Sequence, residues 1–176
     1  ELGGEPHEES VADKAVRVDR SIKFAEKRKQ FLRSFEGVNA ANTLYESLKQ
    51  EVQLEIANLN TVAPSFEYSF KSNRKEFAIL GRGPALLVYW NYHAANSLDD
   101  AHLEITLWLG HPPWPGVRFY DPPKKLQKFM FTFELMPSDE HCWISNDNEN
   151  RTYSSKALAS YLLSYSIEQA DKYKQH

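Results

Sequence analysis

The chain has 176 residues, 13% of them aromatic, and a formal net charge of only −3. That length suits one ordinary domain, able to bury about two-thirds of its unfolded surface without covalent staples. So small a net charge provides no global field for nucleic acid or a membrane surface, the single Cys142 excludes an internal disulfide framework, and no apolar run approaches the ~18 residues of a membrane span.

A lone cysteine fits a reducing compartment, so a cytoplasmic location is expected. Residues 1–9 are acidic, carry Gly3, Gly4 and Pro6, lack periodicity, and are expected to form a mobile tail. From residue 10 to 35 the pattern is helical. Ala15, Val18, Ile22, Ala25 and Leu32 share one stripe at three- and four-residue spacing, and Phe24, Phe31 and Phe35 form a second. A helix with two apolar stripes usually meets two neighbours. Gly37 reads as its C-cap and Asn39 as the N-cap of a second helix carrying Leu44, Tyr45, Leu48, Val52, Ile56 and Leu59. So short a link predicts an antiparallel helical hairpin over residues 10–60, ended by Pro64. It serves either as a cover for the sheet or as a projecting arm.

Residues 61–176 read as an antiparallel sheet followed by a helix, one domain with residues 10–60. Phe66, Tyr68 and Phe70 alternate with polar residues, and Phe77 and Ile79 follow a polar turn. Facing Phe70 with Phe77 keeps one apolar face. Gly81-Arg82-Gly83-Pro84 is a breaker. Next come strands over 85–93 and 102–109, then a stiff loop, His111-Pro112-Pro113-Trp114-Pro115-Gly116. Residues 117–120 read as a short edge strand. In residues 127–136, Phe129, Phe131, Phe133 and Leu135 alternate with polar residues and Met130, the strongest strand signal in the chain. Pro137-Ser138-Asp139-Glu140 predicts a tight turn into a strand at 141–145. Pairing Leu135 with Cys142 places the thiol on the Phe face. Ser154 or Ser155 caps a last helix with Leu158, Tyr161, Leu162 and Tyr165 on one side. The expected class is α+β: an N-terminal helical hairpin, a five- or six-stranded antiparallel sheet, and a C-terminal helix packed on the Phe-rich face.

The opposite sheet face carries the candidate ligand-binding residues Tyr89, Asn91, His93, His102, Glu104, Trp108 and Glu134. Alternation pairs His93 with His102, Asn91 with Glu104, Tyr89 with Thr106 and Leu87 with Trp108. Aromatic walls with a few hydrogen-bonding groups suit a concave small-molecule site. His93, His102 and Glu104 are residue types that zinc or iron uses, but no H-x-H or H-E-x-x-H spacing accompanies them. Glu104 and Glu134 are the types an acid/base pair uses. The solvated reading of both sets is preferred. No metal, cofactor or catalytic residue is assigned, and whether the chain is an enzyme stays open.

The first helix is basic, with Lys14, Arg17, Arg20, Lys23, Lys27, Arg28, Lys29 and Arg33. No groove-reading motif accompanies these charges, so nucleic acid is not the expected partner. The leading functional expectation is a non-enzymatic interaction or regulatory module. It binds a protein partner, or itself, through its N-terminal helices. The alternative is a small-molecule-binding or enzymatic domain using the second sheet face.

Overall fold

The computed structural model of the protein describes residues 8–174. The expected tail over 1–9 falls, up to His7, outside the described residues. Three helices, one 3-10 turn and seven strands follow one another as α1 (Val11–Leu32), α2 (Phe35–Val62), the turn Pro64–Phe66, β1 (Ser69–Ser72), β2 (Glu76–Leu80), β3 (Ala85–Asn91), β4 (His102–Leu109), β5 (Lys124–Leu135), β6 (His141–Ser145), β7 (Thr152–Tyr153) and α3 (Ser155–Tyr173). The strands form one antiparallel meander in chain order. The α+β class therefore holds, with seven strands where five or six were expected. The additional one, β7, is two residues long and too short for alternation to reveal.

One sheet face is buried beneath helices. Phe77, Ile79, Leu86, Val88, Trp90, Leu103, Ile105, Leu107, Phe131, Phe133 and Trp143 form the sheet side of the core. From α2 come Ala41, Tyr45, Leu48, Val52 and Ile56, at the three- and four-residue spacing of one helical stripe. From α3 come Leu158, Ala159, Leu162 and Leu163. Ring edges lock this helix to the Phe strand: Tyr165 meets Phe129 at 5.1 Å and Tyr161 meets Phe131 at 6.5 Å. Ser154 caps α3, its Oγ accepting the Ala157 N–H at 3.1 Å.

The two N-terminal helices divide the roles expected of them. α2 is a cover for the sheet, whereas no residue of α1 is buried and the helix is an arm. Their junction lies earlier than Gly37 and Asn39 suggest. Ser34 caps α2, its Oγ accepting from Gly37 N–H at 3.0 Å and donating to the Phe31 carbonyl at 2.6 Å. A serine with a free side-chain acceptor outcompetes a glycine cap here, so Gly37 and Asn39 fall inside α2.

Several local expectations are corrected. Residues Pro64–Phe66 form a 3-10 turn rather than strand, with Glu67 left-handed at φ 53°. A proline at the first helical position favours that turn. β1 pairs Phe70 with Ile79, not Phe77, a two-residue slip that preserves the face. Residues 117–120 form no strand. The β5–β6 connection is the most consequential. Met136 and Glu140 close a three-residue loop with Asp139 left-handed at φ 65°, so Leu135 pairs with His141 and Glu134 with Cys142. One residue of slip exchanges the two faces of β6: Trp143 enters the core, and Cys142 and Ile144 face away from it.

Candidate functional site

Two surfaces are candidates: the uncovered sheet face and α1. On the sheet face, β3 and β4 pair Tyr89 with Glu104 and Asn91 with His102. This register is two residues from the expected one, so the same side chains share a face with different partners. Asn91, His102 and Glu104 converge. His102 Nε2 lies 3.4 Å from Asn91 Nδ2 and 3.6 Å from Glu104 Oε2, and His102 Nδ1 sits 3.0 Å from the Asp100 carbonyl. Lys128, across on β5, donates to Glu104 Oε2 at 2.9 Å.

The other members of the expected set stand apart. His93 is exposed and lies beyond the end of β3. Trp108 is four residues from Glu104 along β4, about 13 Å at strand rise, and donates its indole N–H to Thr106 Oγ at 2.8 Å. Glu134 is four residues from Met130, the cross-strand partner of Glu104, and so about 13 Å off in the opposite direction. That exceeds the separation at which two carboxylates share a hydrolytic centre, roughly 5–9.5 Å. Each carboxylate is also engaged by a cation, Glu104 by Lys128 and Glu134 by Arg28. Among the described residues, no group of three or more His, Cys, Asp or Glu is placed to hold a metal ion. A cleft of about 460 Å³ takes His102 and Glu134 from the set, with Arg28, Leu32, Met130 and Thr132 as walls. Tyr89 and Trp108 do not line it.

Cys142 lies on this face, buried at the foot of β6. Burial pushes its thiol pKa up, and the negative charges of Glu134 and Glu140 push the same way. Folding thus retains the proton: the stabilisation is fully present below the ordinary thiol pKa and is lost as pH rises above it. Alkylation of native protein is expected to lag the unfolded chain and to set in at higher pH. Equal rates at pH 8 would contradict the burial.

The second surface is α1. Its helicity comes from within: Ser10 Oγ accepts the Asp13 N–H at 3.1 Å, Asp19 pairs with Lys23 at 2.7 Å, and glycine and proline are absent. Its C-terminal half lies across the β5–β6 hairpin. Phe31 stacks on His141 at 5.5 Å and approaches Phe133 at 6.4 Å. Arg28 embraces Glu134 with two hydrogen bonds, Nη2 to Oε2 at 2.6 Å, and this pair holds the guanidinium above its ordinary pKa. Lys27 reaches Asp139 at 2.6 Å, and Phe24 lines one cleft with Pro137. The Leu98 N–H donates to the Leu32 carbonyl at 2.8 Å and closes the end.

At about 100° per residue, Phe24, Lys27, Arg28 and Phe31 share one side of α1, and Val11, Ala15, Val18, Ile22 and Ala25 fall about 150° away from it. That second stripe faces solvent: Val11 is 87% exposed, Ile22 59% and Val18 44%. The two stripes were legible in sequence. Val11, which extends the open one, was missed although it stands four residues before Ala15. Arg28 is one of the basic residues the sequence shows on the first helix, but its hold on Glu134, and that of Lys128 on Glu104, are visible only in the structure.

The Arg28–Glu134 pair is the polar clamp of the arm. Arg28→Ala is expected to cost only about 1 kcal/mol, since the Arg28 side chain is 42% exposed. Amide exchange over residues 24–32 is expected to accelerate while the sheet stays protected. Unchanged exchange there would place the docking in the Phe31 contacts alone.

No family model, curated protein or solved structure matches the chain. Among the described residues no helix is long and apolar enough to cross a membrane.

Proposed function

We propose that this protein is a non-enzymatic interaction module and that α1 is its docking helix, presenting the Val11–Ala25 stripe to a helix of another protein chain. One observation carries the reading: a 22-residue helix has no buried residue, and its apolar stripe points away from the body that anchors it. In proteins an apolar helical stripe normally packs against a neighbour, and this one has none among the described residues of its own chain. A partner helix would supply the missing apolar contact. The basic residues do not favour nucleic acid instead. Arg17, Lys23, Lys27 and Arg28 are engaged by Glu9, Asp19, Asp139 and Glu134 of the same chain. Such pairing competes with phosphate contact.

The small-molecule alternative would need Tyr89, Trp108 and Glu134 around one cavity, and the strand spacing sets Trp108 and Glu134 on opposite sides of Tyr89 and Glu104. A photo-crosslinking residue placed at Val18, and in parallel at Thr132 on the sheet face, tests the choice in cells. Protein adducts are expected from position 18 and not from position 132, and they are expected to vanish when Ala15→Glu is added. Adducts confined to position 132, or none at 18 above background, would overturn the reading.

A further inference from the structure

We infer that the partner helix is α1 of a second copy of this chain, packed parallel and in register over Val11–Ala25. The inference rests on the docking reading above and names the occupant. Val11, Ala15, Val18, Ile22 and Ala25 are spaced four, three, four and three residues apart, and Lys29 and Leu32 continue the series. Over two heptads this is the a/d spacing of a coiled coil, with Ala15 and Ile22 at a and Val11, Val18 and Ala25 at d; Lys29 takes the next a position, and the open seam ends there because Leu32 packs against the body's core. A single lysine at a favours a dimer over larger bundles, because two ammonium groups can still reach water.

Charge decides the orientation. In a parallel pair, each g residue faces the e residue five positions on in the other helix. Lys14 then faces Asp19 of the second copy, twice by symmetry, where one carboxylate oxygen of Asp19 already holds Lys23 of its own helix and the other is left for Lys14; Ser21 faces Glu26. Further on, Arg28 would face Arg33, but Glu134 and Asp99 of the same chain already neutralise them. An antiparallel pair centred between Val18 and Ile22 behaves otherwise. It sets Asp19 against Asp19 and Val11 against Lys29, while Lys14 meets Arg28, whose charge Glu134 already holds. Parallel packing therefore gains the Lys14–Asp19 contact twice, where antiparallel packing gains none and sets Asp19 against itself. Over Val11–Ala25 the body does not obstruct it, since the hairpin contacts of α1 centre about 150° around the helix from the seam.

Sedimentation velocity of the full chain between about 10 and about 400 μM tests the inference, a range that brackets a weak two-helix contact. A shift toward the dimer mass is expected with rising concentration. Val18→Glu is expected to stay monomeric throughout with an unchanged circular dichroism spectrum, since Val18 touches no core. Lys14→Glu discriminates orientation. It places Glu against Asp19 in the parallel dimer and Glu against Arg28 in the antiparallel one. The expected result is about five-fold weaker association, the scale of two lost surface pairs. Adding Asp19→Lys should restore it. Tighter association of Lys14→Glu would overturn the parallel register. A monomer at the highest concentration would overturn self-association, while adducts between position 18 and a different protein would leave the docking reading standing.

Discussion

Trp143→Ala is expected to cost about 3–5 kcal/mol, the range for removing a fully buried aromatic. Trp143 packs between two aromatic rings, edge-on to Trp90 at 5.4 Å and to Phe133 at 6.4 Å, and is wholly inaccessible to solvent. Its indole N–H is buried with no hydrogen-bond acceptor among the described residues. That second fact gives the position a signature. Trp143→Phe loses ring volume but also removes an unsatisfied donor, whose burial costs about 1–3 kcal/mol. The two effects oppose, so Trp143→Phe is expected to cost far less than the alanine. Chemical denaturation of the pair measures both. A loss below about 1 kcal/mol for Trp143→Ala would mean that β6 carries the other register, with Cys142 inward.

That register shows where sequence periodicity loses its grip. Within β5 the alternation of Phe129, Phe131, Phe133 and Leu135 runs far enough that only one face can be buried. β6 has five residues, His141–Ser145, and both of its faces are plausible interiors: Trp143 on one, Cys142 and Ile144 on the other. The decision passes to the hairpin loop. Whether Pro137-Ser138-Asp139-Glu140 contributes four residues or three depends on Asp139 entering the left-handed region, a conformation aspartate tolerates but does not announce. Slips by two, as in β1–β2 and β3–β4, were harmless because they conserve the face.

The candidate surfaces were legible to different depths for the same reason. Alternation places Tyr89, Asn91, His102, Glu104, Trp108 and Glu134 on one face but says nothing of distance along it, and distance separates Trp108 from Glu134. Partners from another element were invisible. Glu134 reads as an available carboxylate until α1 brings Arg28 over it. The reverse holds for α1. Its two stripes are explicit in the sequence, and only the structure reveals which one the body covers. The covered stripe meets a strand hairpin rather than α2 because the chain turns at Ser34.

That turn is the hinge of the arm, and Gly37 is expected to be its least replaceable residue. A Cβ built on Gly37 would run into the Phe31 carbonyl oxygen and stand 3.0 Å from its carbon. Both obstacles are backbone, so no rotamer relieves them. Gly37→Ala should gain up to about 1 kcal/mol of helix propensity within α2. Against this stands overpacking, typically 1–3 kcal/mol when a methyl meets rigid neighbours. A net loss of about 1–2 kcal/mol is expected. The corner can relax in one direction only, by moving the end of α1 away from α2, because α2 is fixed by Ala41, Tyr45 and Leu48 in the core. Such a movement draws Phe31 off His141 and Arg28 off Glu134. Gly37→Ala is therefore expected to loosen α1 as well as destabilise the fold, and a spin-label pair at Arg20 and Ser138 should report a broader, longer distance distribution. Alanine accepted at position 37 with a gain in stability and an unchanged distance would show that the helices meet less closely than the corner geometry requires, and α1 would then be held by its hairpin contacts alone.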